Sequence, residues 1–185
     1  MTTANRVKLG IVIFVIGFSL TSYSVFLSTK SINELMALYN SKIVLQQTYF
    51  SVRDAERAQR IYLLTGDREY LKNFRYQEKA VKTYNKEPLN LLINKKLLEM
   101  NQTILLKEEG KSEQALSLVQ TKVGENYMTM IEEYYTKTLK DLDLEEQELL
   151  TFSSHWHNGA LVISSLMSLV SIVMLIAILF RTRKN

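Results

Sequence analysis

Two long runs without a charged residue lie near the two ends of this chain, and they limit its possible folds more than any other feature. Residues 9–27 and 160–180 contain no Asp, Glu, Lys or Arg over nineteen and twenty-one positions. As an α-helix, each run would be about 30 Å long, which matches the hydrocarbon core of a bilayer. Because a soluble protein of 185 residues rarely carries two such runs, the sequence predicts two transmembrane helices.

The charges next to these runs predict how the chain is oriented in the membrane. Five basic residues flank the runs without an accompanying acidic residue: Arg6, Lys8, Arg181, Arg183 and Lys184. Short tails rich in Lys and Arg remain in the cytoplasm, so both termini are expected there. Trp156 precedes the second run and is expected to anchor the chain at the outer membrane surface, where aromatic residues concentrate.

A cleaved signal peptide is the alternative for the first run. Ser22-Tyr23-Ser24 is a weak site of the small-x-small type that signal peptidase cleaves. The apolar run resumes after it at residues 25–27. A retained membrane anchor is therefore favoured.

The positive net charge of the chain belongs to its ends. Removing the five flanking residues from the 23 Lys and Arg leaves 18, against 19 Asp and Glu. A nucleic-acid-binding protein carries its basic surface on the folded body, so nucleic acid is excluded as a partner. The chain has no cysteine, which excludes both disulfides and cysteine-ligated metals.

The region between the two runs has the pattern of long helices. No proline or glycine occurs at residues 29–65 or 125–158, and apolar residues recur there at steps of three and four. We predict one helix over about residues 8–64 and a last helix from Ser112 into the second run, with a kink or short interruption at Gly124. The apolar stripe predicted for the first helix is Ile32, Leu35, Tyr39, Val44 or Leu45, Tyr49, Val52 and Leu63.

Two shorter helices are predicted between these long ones. Gly66 stands where a left-handed residue closes a helix, and Asp67 can cap the next helix, predicted over residues 68–86. Pro88 suits the first position of a third helix, which Gly110 ends. Its buried positions are predicted to be Leu89, Ile93, Leu97, Met100 and Ile104. The predicted fold is all-α: an antiparallel four-helix bundle outside the membrane whose first and last helices continue into the two transmembrane helices.

The corner between the first two helices carries a family resemblance. The residues concerned are Glu56, Gln59, Arg60, Tyr62, Leu63, Leu64, Thr65, Gly66 and Asp67, followed by Tyr70 and Leu71. This block resembles the signature of the type-three CHASE domain, a sensory extracellular domain associated with cyclases and histidine kinases. Ala58 and Ile61 stand where that signature has glycines.

The resemblance extends over residues 35–152. The matching residues in the second half are Glu109, Gly110, Ala115, Val119, Lys122, Gly124, Met128, Ile131, Glu145, Glu146, Leu149 and Leu150. Glu132 and Glu133 depart from it, because the family often has an arginine in this region.

The resemblance implies a module that receives a signal outside a bacterial inner membrane and relays it through two membrane helices. The 185 residues include no output domain, so we expect either a stand-alone sensor that acts with a separate histidine kinase, cyclase or chemotaxis transducer, or the sensory portion of a larger or decayed gene product. Besides the lipid bilayer, the expected partner is a second copy in a homodimer, and the sequence identifies no small-molecule ligand. A non-sensory membrane scaffold or assembly partner, binding through the helical bundle, is the alternative.

These expectations place the protein in the inner membrane as a two-pass protein with most of the chain in the periplasm. The chain is divided into five segments. They are a cytoplasmic tail (1–8), a transmembrane helix (9–27), a periplasmic sensory bundle (28–158), a second transmembrane helix (159–180) and a basic cytoplasmic tail (181–185).

Few residues suggest a chemical site. Glu56 and Arg60 have the i,i+4 order that favours a helical ion pair, which either stabilises the bundle or, with Gln59, contacts a ligand. His155 and His157 would point to different sides of a helix and are poorly placed for a metal. Without a phosphate-binding loop, a catalytic cluster or a kinase or cyclase motif, we predict no catalytic residue, no cofactor and no enzymatic activity.

Overall fold

A computed structural model describes residues 3–81 and 87–182, and all regular structure in these ranges is helical. The helices are α1 (Thr3–Thr65), α2 (Arg68–Val81), α3 (Leu89–Glu108), α4 (Ser112–Gln120) and α5 (Val123–Thr182). The all-α class is therefore confirmed. The second helix was predicted to reach residue 86, but residues 82–86 lie outside the described ranges.

The chain divides into two compact units. The central unit is Tyr39–Asp143, and the terminal unit combines Met1–Leu38 with Leu144–Asn185. Because α1 and α5 are the two long helices, each contributes residues to both units. The candidate site described below lies wholly within the central unit.

The terminal unit contains the two stretches that were predicted to cross a membrane. Both α1 and α5 are long and apolar enough to do so, with mean hydropathy of 2.0 and 1.4 over their most apolar windows. Many large apolar side chains on these stretches are exposed, among them Phe14, Phe18, Phe26, Leu161, Val162, Leu166, Leu169 and Ile172. Exposed apolar surface of this extent suits contact with lipid. The basic residues predicted to orient these spans fall outside the described side chains: Arg6, Lys8, Arg181, Arg183 and Lys184.

Close contacts join α1 and α5 within the terminal unit. A Cβ atom on Gly17 would lie 2.7 Å from Cγ of Met167, so the helices approach this closely because residue 17 has no side chain. Ser24 Oγ donates a hydrogen bond to the carbonyl oxygen of Trp156 at 2.8 Å. Tyr23 meets the Trp156 ring edge-on, with centroids 6.1 Å apart. Trp156 thus packs on α1, and its position at the membrane surface stays a prediction.

The central unit has a hydrophobic core built from α1, α2, α3 and α5. Helix α3 supplies the five residues predicted from the sequence, Leu89, Ile93, Leu97, Met100 and Ile104, each no more than 3% exposed. Phe74 of α2 and Ile131 of α5 are fully buried against them. The core therefore draws on four helices, while α4 forms a separate short helix that contacts α3.

The buried face of α1 follows a seven-residue repeat. Buried residues recur at Ser24, Ser31, Leu38, Leu45, Val52 and Gln59. Such a repeat keeps one face of a helix against its neighbours over many turns. The predicted stripe is confirmed at Leu45, Tyr49 and Val52 but wrong at Ile32 and Tyr39, which are 49% and 45% exposed. The polar residues Ser24, Ser31 and Gln59 occupy part of the buried face of α1. The spacing of the apolar residues alone therefore predicted the wrong buried positions in the first part of this helix.

The turns before α2 and after α3 have the predicted chemistry. Gly66 adopts a φ of +71°, and its N–H donates to the carbonyl oxygen of Tyr62 at 2.8 Å. Asp67 Oδ1 accepts a hydrogen bond from the N–H of Glu69 at 2.9 Å and thereby caps α2. Gly110, with a φ of +79°, closes α3 in the same left-handed conformation.

The prediction of an interruption at Gly124 was wrong in position. The break between α4 and α5 falls at Thr121 and Lys122, and Gly124 lies in the first turn of α5. Lys122 adopts a φ of +60°, a conformation that costs about 1–2 kcal/mol for a residue with a side chain. Because a lysine rather than a glycine makes this turn, no local signal marked it in the sequence.

Candidate functional site

A buried ion-pair cluster joins α1 to α3. Lys96 Nζ lies 2.8 Å from Glu56 Oε1 and 3.1 Å from Glu99 Oε2. The side chains of Lys96, Glu56 and Glu99 are only 3%, 13% and 8% exposed. Buried charges are strongly destabilising unless they are paired. Lys96 therefore holds both carboxylates, and these three residues are called the Lys96 cluster.

Arg60 connects the Lys96 cluster to the surface. Its Nη2 atom lies 3.0 Å from Glu56 Oε1, so the ion pair predicted from the i,i+4 spacing is formed. The Arg60 side chain is 59% exposed. Glu56 Oε1 therefore accepts from the buried Lys96 and from the exposed Arg60 at once. The two cations balance the charges of the two carboxylates.

Gly124 makes room for the Lys96 cluster at the start of α5. A Cβ atom at this position would lie 2.6 Å from Cδ of Glu99 and 2.8 Å from Nζ of Lys96. Both distances are shorter than van der Waals contact, so a larger residue would displace a buried, paired charge. The role of Gly124 is a close approach of backbone to side chains, not a bend in the helix.

A buried hydrogen bond beside the cluster also joins α1 to α3. Gln59 Nε2 donates to Thr103 Oγ1 at 2.7 Å, and Thr103 donates in turn to the carbonyl oxygen of Met100 at 2.8 Å. Gln59 and Thr103 are 2% and 0% exposed. The Gln59 amide is therefore partnered inside the protein, where it fixes the register of the two helices.

Arg60 also lines a cleft, called the α4 cleft, of about 530 Å³. Its apolar walls are Leu63 and Leu64 of α1 with Ala115, Leu116 and Val119 of α4. Lys107 of α3 and Glu125 of α5 add two charged side chains. A mostly apolar cleft of this size with a few polar groups has the form of a small-molecule site.

The signature residues predicted from the sequence fall into separate environments. Glu56, Gln59 and Arg60 make the polar contacts between helices or at their surface. Leu63 and Leu64 line the α4 cleft, and Tyr62 is buried in the core. Thr65, Gly66 and Asp67 form the turn before α2. Leu64, next to the predicted stripe residue Leu63, is 83% exposed, because the cleft leaves this side of α1 uncovered.

Sequence reasoning missed the α3 half of the site. Lys96 lies four residues before Met100 and Thr103 lies three residues after it, so both share the buried face of α3. A charged residue on a buried helix face requires a partner. This spacing is the signal that could have identified Lys96 from the sequence.

Tyr49 forms a second polar group in the core of the central unit. Its ring stacks on that of Tyr135 with centroids 4.1 Å apart, and the Arg53 guanidinium carbon lies 5.7 Å from its centroid. Burial, and then the negative charge of Glu132, raise the pKa of Tyr49 above 10.0, while Arg53 acts in the opposite direction. The folded protein therefore favours the neutral phenol.

Tyr49 is expected to make the protein less stable at high pH. The pKa of Tyr49 is higher in the folded chain than in the unfolded chain. Its contribution to the free energy of unfolding is therefore complete below the unfolded pKa of about 10, and it is lost as the pH rises through the pKa of the folded chain. The free energy of unfolding, measured from about pH 8 to pH 12, should fall less steeply in Tyr49→Phe than in the wild type. Tyr76→Phe removes an exposed hydroxyl as the control, and identical slopes in Tyr49→Phe and wild type would contradict the prediction.

The site is arranged for binding. The Lys96 cluster lies beside the α4 cleft, and Arg60 both pairs with Glu56 of the cluster and lines the cleft. In the part of the chain that the structure describes, no three His, Asp or Glu side chains are grouped to hold a metal ion. His155 Nδ1 instead lies 3.1 Å from the carbonyl oxygen of Thr151, one turn earlier in α5.

No comparison with known proteins supports or contradicts the family resemblance. No protein-family model matches the chain, and neither a curated protein nor a solved structure matches it. The resemblance to the type-three CHASE domain therefore stays a prediction that rests on the block around Glu56 to Leu71.

Proposed function

We propose that this protein is a two-pass sensory module of a bacterial inner membrane, of the type-three CHASE kind and without enzymatic activity of its own. The central unit is a periplasmic four-helix bundle that receives the signal, and the α4 cleft is its input site. Both termini are cytoplasmic, and the output belongs to a separate histidine kinase, cyclase or chemotaxis transducer.

The observation that supports this proposal most is the extent of α1 and α5. Each is a single helix that contains a candidate membrane span and also contributes to the central unit. Arg60 and Glu125, which line the same cleft, lie on these two helices. A ligand in the cleft therefore contacts both helices that enter the membrane. If α1 and α5 have two relative arrangements, the ligand shifts the equilibrium toward the arrangement to which it binds more tightly.

The contact between Gly17 and Met167 supports the relay step. At this point the two candidate spans approach so closely that a Cβ atom on residue 17 would overlap the Met167 side chain. A shift of one helix at this contact displaces the other, because closely packed groups transmit strain. The module then acts on its output protein, most simply as a homodimer, since two-fold pairing is the commonest assembly.

Single cysteine substitutions test the topology, because the natural chain has none. Tyr76→Cys labels an exposed position on α2, and Asn185→Cys labels the C-terminal end. In spheroplasts, a membrane-impermeant maleimide is expected to modify Tyr76→Cys at once and Asn185→Cys only after the membrane is permeabilised. Modification of Asn185→Cys in intact spheroplasts would contradict the two-pass arrangement.

Cross-linking and affinity purification of the full chain from its native membrane test the function. The sensory proposal predicts a partner that carries a kinase, cyclase or transducer output. A stable stoichiometric complex with an envelope protein that has no signalling domain would instead favour the scaffold alternative and overturn the sensory proposal.

A further inference from the structure

Lys107 is a cation of the α4 cleft that has no partner among the residues the structure describes. Its side chain is half-buried in the cleft lining, and its ammonium group makes no ion pair or hydrogen bond with any residue that the structure describes. A lysine in the wall of a cleft that has no counter-ion among these residues leaves its charge uncompensated there. An anion in the cleft would supply the missing partner.

Arg60 offers further donors to the same cleft. Of its guanidinium group, Nη2 is engaged by Glu56, and 59% of the side chain is exposed. A guanidinium carries five N–H donors in all, so most of them face away from the Glu56 bond. Among the described residues, Glu125 is the one acidic side chain that lines the cleft, beside the two cations Arg60 and Lys107.

The walls of the cleft favour an apolar group next to the anion. Leu64 is 83% exposed and Leu116 is 56% exposed, although both line a concave surface. Burying these side chains against an alkyl chain removes apolar surface of the protein and of the ligand from water. A small polar anion would leave them exposed, and a neutral apolar molecule would leave Lys107 unpaired.

We infer that the α4 cleft binds a small amphipathic carboxylate, such as a medium-chain alkanoate. Its head group lies against Lys107 and Arg60, and its alkyl chain lies between Leu64 and Leu116. This inference rests on the proposed function, whose input it names. A carboxylate on the remaining donors of Arg60 shares the guanidinium with Glu56, so binding places a second anion on the outer partner of the Lys96 cluster.

Equilibrium dialysis of radiolabelled octanoate against the full chain in nanodiscs tests the inference, with empty nanodiscs as the blank. We expect saturable binding that unlabelled octanoate displaces and octanol does not. Lys107→Met keeps the alkyl stem and removes the charge, and it should weaken binding about tenfold, the effect of losing a charged hydrogen bond. Glu125→Gln removes the opposing charge and should strengthen binding about twofold.

Lys95→Met is the matched control, because Lys95 is exposed on the same helix and does not line the cleft. It should bind octanoate as the wild type does. The inference is overturned if Lys107→Met binds octanoate as tightly as the wild type does, or if Lys95→Met loses as much affinity as Lys107→Met. It is also overturned if the wild type binds octanol as well as octanoate. Circular dichroism of each variant shows whether a lost affinity reflects a lost fold, and Glu125→Gln gives a gain that misfolding cannot produce.

A second copy of the chain is the competing occupant of the cleft. Mild oxidation of Leu116→Cys in membranes distinguishes the two, since efficient disulfide-linked dimers would show that the cleft is covered and overturn the inference. Octanoate binding without a signalling partner in the purification experiment would leave the inference standing and contradict the proposed function. A signalling partner in the purification, together with no saturable octanoate binding, would overturn the inference and leave the proposed function standing.

Discussion

Replacing Lys96 by methionine is expected to lower the free energy of unfolding by about 3–5 kcal/mol, the loss typical of removing one partner from a buried ion pair. Lys96 Nζ contacts both Glu56 and Glu99, and its side chain is only 3% exposed. Without Lys96, the carboxylates of Glu56 and Glu99 stay buried, and Arg60, 3.0 Å from Glu56, is the remaining cation among the described residues of the site. Urea unfolding of the reconstituted protein, followed by circular dichroism, measures the change.

Two further variants isolate the cause of this loss. Lys95→Met makes the same substitution at an exposed position of α3 and should change the free energy of unfolding by no more than about 0.5 kcal/mol. Adding Glu56→Gln and Glu99→Gln to Lys96→Met removes the stranded charges and should recover part of the stability. Equal losses at Lys95 and Lys96 would contradict the burial of the cluster.

Phe74→Ala is expected to cost about 3–5 kcal/mol, as for other large-to-small changes at buried phenylalanines. Phe74 is 0% exposed and is among the largest fully buried side chains of the described core. It is the main residue through which α2 packs on the other helices, together with Val81. Removing its ring leaves a cavity that the surrounding helices close only in part.

Tyr76→Ala, two residues away on the same helix, is the control. Tyr76 is 71% exposed, so its truncation should change the free energy of unfolding by no more than about 0.5 kcal/mol. The same urea titration applies to both variants. A loss in Phe74→Ala no greater than in Tyr76→Ala would mean that α2 is not docked on the core as described.

Helix α3 was the most predictable part of the fold. Its five apolar core positions were correct because Pro88 and Gly110 bound the helix and because its apolar residues form a regular stripe. The register of α1 was less predictable. Ser24, Ser31 and Gln59 occupy buried positions of its seven-residue repeat, so the apolar residues alone describe the buried face incompletely.

The candidate site was only half predictable. Glu56 and Arg60 are one helical turn apart, and their ion pair follows from helix geometry alone. The α4 cleft requires the end of α1, the last turn of α3, the whole of α4 and the start of α5. No sequence pattern indicates that these four segments meet. The break that makes α4 a separate helix is itself unmarked in the sequence, because a left-handed lysine, Lys122, and not a glycine, lies between α4 and α5.

The sequence by itself determined the two apolar runs, the all-helical class and the turns at Gly66 and Gly110. These features depend on the composition of short windows and on backbone sterics, which are local properties of the chain. Only the tertiary structure decided that Lys96 joins Glu56 and that Gly124 faces this pair. Those contacts link residues far apart in the chain, and their energy comes from burying and pairing charges between helices, which no local pattern encodes.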